Sequence, residues 1–282
     1  MPRLTGDLIR HRLPTYTFGQ NVICVEQTGS TNTELKKLAR WGAPEGLLYL
    51  AEEQLVGRGR LERSWHAPAS SSLLMSLLFR PDELLQPSQA QRLTMLCALA
   101  LAEAIEFHTE LVPRLKWPND LVGAGGKKLA GILTELEIED DRLSWVVVGL
   151  GLNVNIDFSG QTEPEPDRPG KPGSGGLPLA QTATSLSMLL GQDTAELRLP
   201  ILQSFLFNVE QRYHALRQGQ LPHHDWQQRL VGLGQPVTVT ILEGAHQYHG
   251  LMVGVDENGA LLLEQADGTQ VTIFAGDVTL RS

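Results

Sequence analysis

Cysteine is scarce in this chain: of 282 residues only Cys24 and Cys97 carry a thiol. That excludes a disulfide-stapled scaffold and a four-cysteine zinc site. The two are read as reduced, buried thiols of a cytoplasmic protein. A basic excess is also missing. Lys and Arg number 23 against 32 Asp and Glu, a formal charge of −9, so no nucleic-acid partner is expected. Nothing approaches the ~18 uninterrupted apolar residues of a membrane helix. The N-terminal MPRLTGDLIRHRLPTYTFGQ has no apolar run of signal-peptide type, so no membrane partner is expected either. The usual nucleotide fingerprints fail. Val154 stands where Gly149-Leu150-Gly151 would need its third glycine, and no Ser or Thr follows Gly125-Gly126-Lys127. His223 and His224 are adjacent and lack further ligands at metal spacing, so they read as surface residues.

What is present is a mixture of strand and helix signals. Residues 21–26, Leu47 to Ala51, Ser71 to Phe79, Leu115 to Trp117, Leu129 to Ile138 and Trp145 to Asn153 read as strands. Thr31 and Glu34 have capping-box spacing ahead of a helix that Gly42 and Pro44 end. Residues 88–107, 194–217 and 222–231 read as helices. Strands are not strictly interleaved with helices, which predicts an α+β mixed sheet rather than a doubly wound one. The stretch 158–178 holds five prolines and five glycines and reads as a mobile surface loop. Beyond it, alternating runs at Val237–Ile241 and Leu251–Val255, separated by Glu243-Gly244, Asn258-Gly259 and Asp267-Gly268, predict a small all-β barrel. The expected domains are 1–232 and 233–282.

Two short segments carry chemistry. In GRGR, Gly57 to Arg60, glycines that permit close backbone approach alternate with guanidinium forks suited to phosphate or carboxylate. Arg63 adds charge and Trp65 a flat aromatic face. In KWPND, Lys116 stands at a strand end ahead of Trp117-Pro118. Each has a plainer reading: a solvated charged turn, a partly buried aromatic, a surface lysine. Ser30, Thr31 and Asn32 alone would pass for a helix cap, and Gln54 for a polar residue beside a loop.

The order of the pieces changes that reading. GSTNTE at 29–34, AEEQLVGRGR at 51–60, Trp65, LKWPNDL at 115–121, KKLAGILTEL at 127–136, GLGLNVN at 149–155 and ATSL at 183–186 together resemble the biotin protein ligases, or biotin–[acetyl-CoA-carboxylase] ligases. GVDENGALLLEQADGT at 254–269 is similar to that family's C-terminal domain. The resemblance implies a class II aminoacyl-tRNA synthetase-like catalytic domain, a mixed sheet flanked by helices, followed by a small Src-homology-like β-barrel. It implies ATP and biotin as substrates, with Mg2+ accompanying ATP, and a biotin carboxyl carrier protein domain of acetyl-CoA carboxylase as acceptor. It assigns biotin to Ser30, Thr31, Asn32, Gln54, Arg58, Gly59, Arg60 and Lys116. Nucleotide falls to Arg60, Arg63, Trp65, Lys116 and Asn153, and the catalytic charges to Lys116, Arg58 and Arg60. Asp120 is the candidate for the metal.

One departure is Glu62, where the family's loop usually has glycine. A loop that orders only with ligand is expected, since bound phosphate would offset arginine repulsion. Some family members carry an N-terminal helix-turn-helix and repress transcription. Only about 20 residues precede the first strand here, so a ligase without that module is expected. Family members often dimerise through a sheet edge. A lipoate–protein ligase and a non-catalytic biotin-binding adaptor are the competing readings.

Overall fold

A computed structural model describes residues 3–164, 175–241 and 246–280. Most of the Pro/Gly stretch, 165–174, lies outside the described residues. In chain order the elements are α1 (Gly6–Arg10), β1 (Val22–Thr28), α2 (Thr31–Arg40), β2 (Leu48–Gln54), β3 (Ser72–Phe79), α3 (Gln91–Thr109), β4 (Arg114–Lys116), β5 (Asp120–Val122), β6 (Lys128–Glu139) and β7 (Arg142–Asn153). Then follow α4 (Leu179–Thr182), α5 (Leu186–Leu190), α6 (Arg198–Arg217), α7 (His223–Gln228), β8 (Pro236–Ile241), β9 (His246–Val255), β10 (Leu261–Glu264), β11 (Gln270–Ile273) and β12 (Asp277–Leu280). Seven strands form one sheet in the order β1-β2-β3-β7-β6-β5-β4. Only β1 and β2 run parallel; the remaining pairs are antiparallel, so the sheet is mixed. The C-terminal strands make a five-stranded antiparallel sheet, β11-β10-β9-β8-β12.

Strand alternation decides where the site lies. Leu48 and Leu50 of β2, Met75 and Leu77 of β3, and Val148 and Leu150 of β7 join the core that includes α3 and α6. Their neighbours Tyr49, Leu78, Trp145 and Val147 point the other way, under Leu35 and Ala39 of α2. α3 is apolar almost all round and buried, as the uniform Leu/Ala run requires. α2 covers only one end of its face of the sheet. Beyond it β6 and β7 place Gly131 and Gly151, paired across the ladder, while Gly149 lies beneath Asn32 at the start of the helix.

The α2 capping box does not form. Ser30 is the N-cap, with an extended backbone and no side-chain capping bond, and Glu34 pairs with Lys37 at 2.8 Å. The helix starts one residue earlier than Thr31 as cap would demand. That turns the Thr31 and Asn32 side chains inward, toward the sheet, where other partners take them.

The two sheets share packing. Trp117 Nε1 donates to the Gly259 carbonyl at 2.9 Å, in the turn between β9 and β10. Arg92 of α3 donates to Asn258 and pairs with Glu257, each at 3.1 Å. No helix among the described residues is long and apolar enough to cross a membrane.

Candidate active site

At the N-terminus of α2 a row of polar side chains is buried. The Gln54 carbonyl oxygen accepts the Thr31 amide N–H at 2.8 Å and lies 3.1 Å from the Thr31 hydroxyl. Ser76 Oγ lies 2.7 Å from Thr31 Oγ1 and 2.6 Å from Asn32 Oδ1. Asn32 Nδ2 donates to the Leu133 carbonyl at 3.1 Å and to Glu135 at 2.9 Å. Ser30 is buried beside them, its hydroxyl making no capping bond. A Cβ at Gly149 would stand 2.1 Å from Asn32 Oδ1, so only glycine leaves the amide its place.

Glu135 closes this row with charge. Lys36 Nζ is 2.5 Å from its carboxylate and Arg58 Nη1 3.5 Å. Burial opposes ionisation of Glu135. The hydrogen bonds from Lys36 and Asn32, with the charges of Lys36 and Arg58, outweigh burial and hold its carboxyl below the usual glutamate range.

The glycine floor carries Trp65. A Cβ at Gly151 would come within 2.6 Å of the indole, and one at Gly131 within 3.1 Å. Lys128 Nζ lies 5.4 Å from the indole centroid and 2.8 Å from Asp120 Oδ1. Its approach to Asp120 is a charge contact off the hydrogen-bond direction, since that oxygen lacks a hydrogen-bond partner. Trp65 Nε1 is likewise buried without a partner.

The glycine–arginine segment is a hairpin. Trp65 N–H donates to the Gly57 carbonyl at 2.9 Å, Gly59 N–H to the Arg63 carbonyl at 2.7 Å, and Arg58 bridges Ser64. Gly57 is obligatory, because a Cβ there would meet the Trp65 carbonyl at 2.1 Å. Arg60 reaches Asn119 Oδ1 at 3.2 Å and the Gly276 carbonyl at 3.4 Å. Arg63 pairs with Asp277 of β12 at 2.7 Å, and Arg60 stands 4.0 Å from the same carboxylate. Burial lowers the Arg60 pKa, against the charges of Asp277 and Asp120. The hairpin roofs a cavity of about 620 Å³ lined by Val56 to Leu61, Arg63 and Ser64, with Leu133 and Glu135.

Glu135 and Asp277 stand beside the arginines of this loop and counter part of their mutual repulsion.

Of the expected site residues, Arg58, Gly59, Arg60 and Arg63 line this cavity; Thr31, Asn32 and Gln54 join it through the Asn32–Glu135 bond, and Trp65 through the Gly57 pairing. Lys116 ends β4 opposite Asp120, half-buried and with no hydrogen bond or ion pair among the described residues. Asn153 is buried and its amide donates to the Thr184 carbonyl at 3.0 Å, which ties β7 to the start of α5. Sequence reasoning missed Ser76, Lys128, Glu135 and Asp277. A lone serine inside the apolar run SLLMSLLF was a signal for the first. The other three are selected by contacts across strands, which spacing does not reveal.

The sequence matches the model of the biotin/lipoate A/B protein ligase family over residues 24–153 and that of the biotin protein ligase C-terminal domain over 232–281. A bifunctional ligase/repressor of Bacillus spizizenii is 35% identical over 99% of this chain and 79% of its own length. A biotin–[acetyl-CoA-carboxylase] ligase of Mycobacterium tuberculosis is 32% identical over 90% of this chain and 86% of its own. Among solved structures, biotin protein ligase from Aquifex aeolicus in complex with biotin and ATP superposes with a TM-score of 0.70 at 26% identity, covering 93% of this chain and 99% of that one. The fold and crevice are those of an enzyme that joins a cofactor acid to protein. Within that class, the chain belongs to the biotin protein ligase family.

Proposed function

We propose that this protein activates biotin with ATP and transfers it to one lysine of a biotin carboxyl carrier protein, as in acetyl-CoA carboxylase. The observation that carries this reading is the buried polar row Gln54–Thr31–Ser76–Asn32. Biotin's ureido head has two N–H donors and a carbonyl to match it. The dithiolane of lipoate has neither and would leave those groups unpaired, which discriminates strongly.

The head would sit against Ser30, Thr31, Asn32 and Gln54, and the acid chain would run over the glycine floor beside Trp65. A carboxylate oxygen attacks the α-phosphorus of ATP, the bond to the β-phosphate oxygen breaks, and pyrophosphate leaves. Two anions must meet, and Arg58, Arg60, Lys116 and Lys128 supply the opposing charge. Lys128, held at the junction of indole and floor, is the amine the geometry favours for the reacting phosphate. Charge-assisted hydrogen bonds contribute about 1.5–3 kcal/mol each, or roughly tenfold to a few hundredfold in rate. Arg60 and Arg63 would exchange Asp277 for phosphate oxygens, and Trp65 offers the adenine a face. The acceptor lysine's amine then attacks the carbonyl carbon of the mixed anhydride, loses a proton, and AMP departs. Magnesium would enter with ATP, its charge countered by phosphates and the Asp120 carboxylate. Among the described residues no group of three or more His, Cys, Asp or Glu could hold a metal on its own. β1 pairs on one side only, which suits a homodimer built at that edge.

The test is direct. Incubation with ATP, biotin and a carrier domain, followed by an avidin blot, should label the carrier. ATP–pyrophosphate exchange should depend on biotin and ignore lipoate. Biotin affinity without exchange would instead favour the adaptor reading.

A further inference from the structure

Ser76 belongs to no motif, yet it sits fully buried in the middle of β3 and touches two residues of the head pocket. Four oxygens stand in a row, Gln54 Oε1, Thr31 Oγ1, Ser76 Oγ and Asn32 Oδ1, with gaps of 3.1, 2.7 and 2.6 Å. The two end atoms are amide oxygens and carry no proton. The orientation of each amide is set independently. Gln54 Oε1 accepts the Thr31 N–H, and Asn32 turns its Nδ2 to Leu133 and Glu135.

Two hydroxyl protons must serve three gaps. Asn32 Oδ1 has no other donor among the described residues, so Ser76 gives its proton there, across the shortest gap. Thr31 Oγ1 accepts from the same Ser76 hydroxyl across 2.7 Å and spends its own proton on Gln54 Oε1. Gln54 Oε1 therefore accepts from both the hydroxyl and the amide N–H of Thr31.

We infer that Ser76 sets the hydrogen-bond polarity of the biotin-head pocket. By donating to Thr31 Oγ1, it turns the Thr31 proton onto Gln54 and leaves Thr31 a lone pair, with no proton, to offer a ligand. Gln54, fixed through its oxygen, keeps Nε2 as an uncommitted donor. One acceptor beside one donor is the pattern a cyclic urea needs for its N–H and its carbonyl. Ser76 is thus a positioning residue that acts through Thr31, and it determines specificity without touching the ligand. The inference rests on the biotin reading above.

The test uses the full chain, ATP–pyrophosphate exchange and three acids. Biotin is the reference. 2-Iminobiotin puts a donor where the urea has its carbonyl. Desthiobiotin keeps the urea and lacks the ring sulfur. Wild-type protein without biotin-dependent exchange would sink the ligase reading itself, separately from this inference.

With exchange present, Ser76→Ala should raise the KM for biotin about tenfold, the size of one well-placed hydrogen bond. The KM for ATP and kcat should stay within about twofold, because the lost contact lies at neither phosphate nor carboxylate. The preference for biotin over 2-iminobiotin should fall by a similar factor, while the preference over desthiobiotin holds. Ser76→Cys, of similar shape with a weak donor, should fall between and carries the same test if the alanine variant unfolds. An unchanged biotin KM, or biotin, desthiobiotin and ATP constants rising together with both preferences intact, would overturn the inference.

Discussion

The head pocket and the arginine hairpin face the same crevice but are held by different forces. In the pocket, short neutral hydrogen bonds link β2, α2 and β3 in a buried row, and the large sheet with its covering helix supplies every member. In the hairpin, the ordering contacts are ionic, partly exposed, and reach across to Asp277 of the smaller sheet. Exposed ion pairs are typically worth only about 0.2–1 kcal/mol and weaken with salt. One half of the site is therefore preformed, and the other is poised to trade its partners for phosphate. Neutral recognition can be rigid because the urea never changes; the phosphate side must accept a triphosphate and release pyrophosphate.

Five variants would break or sharpen this contrast. The largest effect is expected from Lys128→Ala, about a hundredfold loss of adenylate synthesis with the melting temperature unmoved. Lys116→Ala is its companion, and single-turnover rates of the two would show which amine serves the phosphate.

Gly151→Ala comes next. Its methyl group would press on the Trp65 ring at 2.6 Å, and about a tenfold rise in the KM for ATP is expected, measurable by exchange kinetics. An unchanged constant would mean the indole moves aside at no cost.

Asp277→Ala tests the hairpin. It should increase tryptic cleavage at Arg58–Arg63 in the free protein and shift the ATP constant by no more than about fivefold. Biotin plus ATP should restore protection. The same cleavage in both proteins would show that Asp277 does not hold the hairpin.

Glu135→Gln gives the smallest effect, seen in pH dependence. The native carboxyl titrates below its unfolded value. Its contribution to stability is therefore fully present above the ordinary glutamate range and is lost as pH falls through the lower native value. The glutamine variant should show a shallower acid limb in thermal melts, and identical limbs would count against the pairing described for Glu135.

Much of this was visible in the order of residues. The mixed sheet followed from alternating apolar runs, and the GRGR and KWPND segments named the crevice. The misread capping box is instructive. Thr31 and Glu34 have the right spacing, but the Thr31 hydroxyl is taken by Gln54 and Ser76, partners 23 and 45 residues away. Local pattern proposes a use for a side chain, and through-space competition decides it. Lys128 was hidden for a related reason, since only the β5–β6 register brings it beside Asp120 and Trp65. Glu62 stays a sequence-level departure; its side chain is outside the described residues.

The indole of Trp117, plugged into the Gly259 turn, carries a last consequence. The seam between the two matched family segments is not a seam in the interior: strands on both sides of it pack in one continuous apolar cluster. Calorimetry should record a single cooperative melt rather than two. Cutting the chain after residue 232 would strip a buried tryptophan of its cover and leave the catalytic half prone to aggregate, instead of releasing an independent module.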